Sequence, residues 1–152
     1  MTLISNTTAL IAAAGQGSRT GLSYPKTLYK VEGLPILIHQ MKLLSLYDSH
    51  PTIIVSPDGH DEISSTLKDY KMDAHLIIQQ EPKGMGDAVL KFVDSPSYSN
   101  ADNVILIWGD IPFVQEKTLK IMIESHFKNF NDFTFPTKTA DYPYTFVSRD
   151  KR

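Results

Sequence analysis

Four short runs along the chain are apolar almost without interruption: TTALIAA (7–13), TIIVS (52–56), AHLIIQ (74–79) and NVILIW (103–108). Runs of this length, rich in β-branched residues and without polar alternation, predict strands buried on both faces of a sheet. Between them the pattern changes to helical spacing. PILIHQMKLLSLY (35–47) opens on Pro35, which suits the first turn of a helix because an N–H there has no intrahelical acceptor. HDEISSTLKDY (60–70) carries Asp61 and Glu62 in its opening turn, where the helix dipole favours negative charge. Residues 115–130 place Leu119, Met122, Ile123, Phe127 and Phe130 on one stripe. Strands alternating with helices predict parallel strands joined by right-handed crossovers, hence an α/β sandwich.

Composition narrows the setting without changing that picture. A chain of 152 residues with 41% apolar and 21% charged positions is read as one domain able to bury its own core. No repeat, low-complexity tract or linker marks a boundary. The net charge of −2 argues against a general nucleic-acid binder. The absence of cysteine removes disulfides, thiolate metal sites and thiol nucleophiles together. The apolar run Ala9–Ala14 is too short for a signal segment or a membrane span, and no Lys or Arg precedes Arg19. The expectation is a soluble, cytoplasmic protein with no nucleic-acid or membrane partner; nothing in the pattern sets an oligomeric state.

In folds of this class ligands sit at the carboxyl ends of the strands. The candidate chemistry lies there: AAAGQGSRT after the first run, QQEPKGMGDA after the third and WGDIP after the fourth. The first of these is not a Walker A loop, since no Gly-Lys-Ser/Thr follows. It also misses the dinucleotide fingerprint, with Thr20 where a third glycine belongs. Its glycines let backbone N–H groups approach an anion, and Arg19 and Lys26 add counter-charge, Arg as a planar fork and Lys as a point charge. Glycines after a strand serve equally well as plain turn makers. Asp110 after NVILIWG reads either as an oxygen ligand for a hard cation or as an Asp in a strand-end turn.

Taken together the segments resemble one family. AAAGQGSR followed by PKTL resembles the Leu-Ala-Ala-Gly-x-Gly-Thr-Arg … Pro-Lys-x-Leu signature of sugar-1-phosphate nucleotidylyltransferases. YKVEGLPILIHQM is similar to that family's next segment, IIQQEPKGMGDAV to its base-contacting loop, and LIWGDIPFV to its metal-binding Gly-Asp-x-Pro-Leu strand end. The segments follow the family's order and spacing over residues 7 to about 147. Within that family the segments resemble the uridylyltransferase domain of bifunctional N-acetylglucosamine-1-phosphate uridylyltransferases. The resemblance implies a three-layer, Rossmann-like α/β sandwich with a mainly parallel sheet, of the nucleotide-diphospho-sugar transferase type.

It also implies a reaction in NDP-sugar biosynthesis. A sugar 1-phosphate oxygen attacks the α-phosphorus of an NTP in line, and pyrophosphate leaves. Positioning and charge neutralisation carry such chemistry. By resemblance, Ala13, Ala14, Gly15, Gln16, Gly17 and Ser18 hold the nucleotide. Arg19 neutralises the leaving pyrophosphate, and Lys26 bridges the α-phosphate and the sugar phosphate. Asp110 ligates Mg²⁺. Gln79, Gly84 and Met85 form the base pocket, with Gln79 favouring UTP and Gln80 pointing the opposite way.

Several positions depart from the family. Ala12 replaces Leu, Gln16 stands where a cation is common, Met85 takes the place of a hydroxyl residue, and Asp87 stands where His is frequent. Tyr144-Thr145-Phe146 lacks both glycines of the family's sugar-contacting Gly-Tyr-Gly. Members of the family run further, so the chain is expected to be truncated at its C-terminus, without the second metal ligand. The remaining residues take ordinary readings. His39 and His126 are expected to be half-buried or on the surface, Phe127, Phe130, Phe133 and Phe135 to be core, and Trp108 to pack beneath the site. Two functions of different class stay open: an Mg²⁺-dependent nucleotidyltransferase using UTP and a sugar 1-phosphate, and a nucleotide-binding or regulatory module. Cytidylyl and guanylyl transfer are variants of the first, and an oxidoreductase is disfavoured by the missing glycine.

Overall fold

The computed structural model describes residues 6–15, 21–81, 83–142 and 147. In chain order it begins with β1 (Thr7–Ala12) and a single 3-10 turn at Lys26–Leu28. The hairpin β2 (Lys30–Val31) and β3 (Leu34–Pro35) follows, then α1 (Ile36–Leu44), β4 (Thr52–Val55) and α2 (His60–Asp69). Next come β5 (His75–Ile78), α3 (Met85–Val93), the short α4 (Pro96–Ser99), β6 (Asn103–Trp108) and α5 (Glu116–Lys128). The chain divides into two compact units, Met1–Phe113 and Val114–Arg152.

The expected strands are all present in the first unit and pair in parallel, in the order β5-β4-β1-β6. The chain moves outward from β1 to β4 and β5, then returns to the far side of β1 at β6. A reversal of this kind opens a crevice at the carboxyl ends of the two strands that flank it. The register makes those ends level, because Ala12 lies opposite both Ile54 and Trp108. Ala13 and Gly109 therefore leave the sheet side by side.

Burial on both faces holds for the two central strands. Ala9, Leu10 and Ile11 of β1 and Ile53, Ile54 and Val55 of β4 are buried completely or nearly so. The outer strands differ from expectation. On β6, Ile107 is buried while Val104, Leu106 and Trp108 are exposed, the alternation of an edge strand covered on one face. Trp108 is 54% exposed, so it does not pack beneath the site. One side of the sheet is sealed by α3, whose Ala88 and Phe92, one turn apart, pack with Leu10, Ala14 and Ile54. Tyr98 of α4 meets the Phe92 ring edge-on at 5.6 Å.

Local rules explain several further differences. Pro35 closes β3 and takes the N-cap of α1, one residue earlier than the first-turn position its chemistry suggested. The β2–β3 hairpin turns on Glu32 and Gly33, whose φ values of 51° and 83° are both left-handed, as a two-residue type I′ loop requires. In the second unit Leu119 of α5 is buried, and Met122, Ile123 and Phe127 are half-buried. The aromatic run beyond the helix is not core: Phe130, Phe133 and Phe135 are 92%, 76% and 45% exposed. Among the described residues no helix is long and apolar enough to cross a membrane.

Candidate active site

The site begins where β1 ends. Ala13 and Ala14 are buried, and Gly15 is exposed. The Ala13 N–H donates to the Ile54 carbonyl at 2.8 Å, which carries the β1–β4 ladder one residue past the strand. On the other side the Gly109 N–H donates to the Ala12 carbonyl at 2.8 Å. Contact there is so close that a Cβ on residue 109 would lie 2.9 Å from Ala12 O and from both Cα and Cβ of Ala13. Glycine at 109 thus lets the turn after β6 lie against the loop after β1, and Asp110 emerges at that junction. Gln16, Gly17, Ser18 and Arg19 lie outside the described residues, as does Tyr144-Thr145-Phe146.

The turn that presents Asp110 is held from α1. Gln40 is buried, and its Nε2 donates to the carbonyls of Trp108 at 2.8 Å and Ile111 at 2.9 Å. Those two acceptors bracket Gly109 and Asp110. The Gln40 Oε1 is buried with no partner among the described residues. Sequence reasoning passed over this residue. Its signal was one amide in the middle of the buried helical segment ILIHQMKLL.

Lys26 opens the 3-10 turn, with Pro25 capping it and the Leu28 N–H donating to the Pro25 carbonyl at 2.9 Å. Pro25 is seated against Gly59 at the start of α2, where a Cβ would lie 2.8 Å from Pro25 Cγ and 3.0 Å from Ser56 Oγ. So placed, Lys26 faces Asp110, with Nζ 4.0 Å from Oδ2. The two side chains are 30% and 55% exposed. An exposed pair at this distance is worth about 0–1 kcal/mol, so either partner can be drawn to a stronger ligand at little cost. Leu22, Tyr29 and Ile36 complete the lining of a cleft of ≈ 380 Å³ around them.

A second group forms beyond β5. The Gln79 N–H donates to the Val55 carbonyl at 2.8 Å, and its side chain is buried. Its Nε2 donates to the Gly84 carbonyl at 3.2 Å and to Asp87 Oδ2 at 2.6 Å. Gly84, the N-cap of α3, has φ 88° and ψ −173°, a conformation essentially confined to glycine. Met85 is the first residue of α3 and is half-buried, whereas Gln80 is exposed. A crevice of ≈ 130 Å³ lined by Gln80, Glu81, Lys83, Asp87 and Lys91 lies next to this group.

The structure therefore brings Lys26 and Asp110 into one cleft, and Gln79, Gly84 and Asp87 into one hydrogen-bonded set. Ala14 and Ala88 share a core cluster, so the loop after β1 and the helix after Gln79 rest on the same foundation. Among the described residues no three His, Asp or Glu side chains cluster as a metal cage. Asp110 still suits a hard cation that arrives with phosphates, because such an ion needs only one or two protein carboxylates. Its carboxylate opens on the cleft and its charged neighbour, Lys26, is a loose one. The histidines take the ordinary roles expected: His39 Nε2 lies 2.9 Å from the Val31 carbonyl, and His126 Nδ1 lies 3.1 Å from Thr134 Oγ1.

Comparison with known proteins bears on this geometry. Residues 9–151 match the MobA-like NTP transferase domain. The bifunctional protein GlmU of Buchnera aphidicola subsp. Schizaphis graminum is 35% identical over 134 residues, which cover 88% of this chain and 28% of that protein. GlmU of Coxiella burnetii (strain RSA 493 / Nine Mile phase I) is 34% identical over 116 residues, covering 76% of this chain and 25% of the relative. The chain thus spans little more than a quarter of the length of these curated relatives. A solved structure of CMP:2-keto-3-deoxy-manno-octonic acid synthetase complexed with CTP superimposes with a TM-score of 0.60 at 15% identity, over 80% of this chain and 47% of that one. At that identity the likeness is one of fold.

Proposed function

The chain belongs to the MobA-like NTP transferase family, and on that premise we propose that it transfers a nucleotidyl group, UMP by preference, from an NTP to a sugar 1-phosphate. The observation that carries this reading is the pairing of Lys26 with Asp110 in one cleft at the β1/β6 switch point. On this reading Ala13, Ala14, Gly15, Gln16, Gly17 and Ser18 hold the triphosphate. Lys26 leaves its loose contact with Asp110 to hold the α-phosphate and the incoming sugar phosphate together. An oxygen of the sugar phosphate forms a bond to the α-phosphorus. The bond from that phosphorus to the bridging oxygen breaks, and pyrophosphate leaves with the electron pair, its charge met by Arg19. Asp110 would hold Mg²⁺, which when bound neutralises phosphate charge. Gln79 reads the base, with the backbone at Gly84 and the Met85 side chain forming the rest of that pocket.

Pyrophosphate release from UTP and N-acetylglucosamine 1-phosphate tests the reading, in wild type and in Lys26→Ala and Arg19→Ala. Wild-type binding of UTP with weak release, as fits a site without the second metal ligand, and a loss of at least about tenfold in UTP affinity in each variant, is the expected result, since each removes a charge-assisted contact worth about 1.4 kcal/mol or more. UTP affinity in wild type that neither variant changes, with no release, would leave a binding module instead. GTP as the preferred nucleotide would point to guanylyl transfer.

A further inference from the structure

Building on the nucleotidyl-transfer reading, we propose that Asp87 is a positioning residue for base selection: it locks the Gln79 carboxamide so that only its oxygen is left to read a nucleobase. A glutamine amide carries two donors and an acceptor, and by turning over it serves either kind of base edge. Here both hydrogens of Nε2 are committed, one to the Gly84 carbonyl at 3.2 Å and one to Asp87 Oδ2 at 2.6 Å. Neither partner can donate. Turning the amide over would set Oε1 against two oxygens inside a side chain that is only 4% exposed. A buried oxygen left facing like atoms has no donor to replace water, so the observed orientation is the held one.

Each end of the lock is itself anchored. The Gln79 N–H is tied to Val55 of the central sheet at 2.8 Å. Gly84 holds its carbonyl in place through a glycine-only conformation, and that carbonyl also accepts the Ala88 N–H at 3.3 Å. Asp87 sits in the first turn of α3, and Ala88 beside it is buried in the core. Among the described residues, the hydrogen bond of the Asp87 carboxylate goes to Gln79 rather than to the open N–H groups of its own helix.

An oxygen that can only accept discriminates by chemistry. Uracil offers N3–H at the position where cytosine carries an unprotonated N3. The first can donate to Oε1, whereas the second would set lone pair against lone pair. Without Asp87 the amide is free to present its NH₂ to cytosine, and selectivity is lost through a gain of CTP rather than a loss of UTP. Asp87 thus makes an ambiguous amide selective.

Calorimetric Kd values for UTP and CTP decide this, in wild type, Asp87→Ala, Asp87→Asn, Gln79→Ala and the Gln79→Ala/Asp87→Ala double variant. Wild type is expected to favour UTP by about tenfold or more, and Asp87→Ala to bring the two within about threefold, mainly by tightening CTP. Asp87→Asn can donate as well as accept, so it too lets the amide turn over and should narrow the ratio. On the Gln79→Ala background, Asp87→Ala should change nothing further, because the effect runs through the amide. A wild-type preference for CTP, an unchanged ratio in Asp87→Ala, or an equal change on both backgrounds overturns the inference and leaves nucleotidyl transfer standing. Wild type that binds no NTP overturns the proposed function, and this inference with it. Should Asp87→Ala fail to fold, Asp87→Asn, which keeps the shape of the side chain, carries the test alone: an unchanged UTP-to-CTP ratio there overturns the inference.

Discussion

Gly109→Ala offers a sharp test of how Asp110 is placed. The added Cβ would lie 2.9 Å from Ala12 O, Ala13 Cα and Ala13 Cβ, and the first two are backbone atoms of a buried segment. None of them is the tip of a flexible side chain, so relief requires the ends of β1 and β6 to part. Parting stretches the Gly109 N–H bond to Ala12 O, now 2.8 Å. Overpacking of this kind costs about 1–3 kcal/mol and the strained hydrogen bond about 1 kcal/mol, so a loss of about 2–4 kcal/mol is expected. For a chain of this length that lowers the Tm by about 4–16 °C. Gly86→Ala is the matched control. It lies in α3 with nothing within 4 Å of the new Cβ, and alanine there should raise stability by up to about 1 kcal/mol. Thermal unfolding followed by circular dichroism measures both. A Gly109→Ala Tm within about 2 °C of wild type, against an expected fall of 4 °C or more, would refute the close approach of the two loops.

Other consequences follow from the same geometry. Gln40→Met removes two hydrogen bonds but also a buried Oε1 without a partner among the described residues, so stability should fall by less than about 2 kcal/mol. The Asp110 turn loses its tether, and in the same variant the Mg²⁺-dependent gain in UTP affinity should shrink, which paired titrations would register. Phe92→Ala empties the cluster that joins α3 to the sheet and should cost about 3–5 kcal/mol in urea unfolding. A loss under 1 kcal/mol would show that Phe92 is not core.

The legible part of this fold lay in the continuous apolar runs. Ile53–Val55 and Ala9–Ile11 are apolar throughout, are flanked by helical patterns, and form buried central strands as their composition demands. The edge strand β6 looked the same in sequence, because an apolar run carries no sign of what covers each face. α3 was hidden for another reason: it opens Gly-Met-Gly, and glycines read as loop even where Gly84 is a cap that lets the helix start. The type I′ hairpin escaped because Glu32, not Asn or Gly, occupies its first left-handed position. The candidate site residues came from resemblance, and the structure adds how Asp110 and Gln79 are held. That Gly109 seats the Asp110 turn and that Gln40 tethers it from a helix are long-range facts. No local spacing encodes them.

The central claim is that Asp110 shares with Lys26 the handling of a metal-bound triphosphate, and UTP titration with and without Mg²⁺ addresses it most directly. Without metal the Asp110 carboxylate repels phosphate and competes for Lys26 at 4.0 Å. With metal, on the proposed reading, it would serve as a ligand. Wild-type affinity for UTP should therefore rise at least about tenfold on adding Mg²⁺, a linkage of about 1.4 kcal/mol. Asp110→Asn should bind UTP at least as well as wild type in the absence of metal and gain little when metal is added. Metal-independent binding by wild type, or full Mg²⁺ dependence in Asp110→Asn, would contradict the claim.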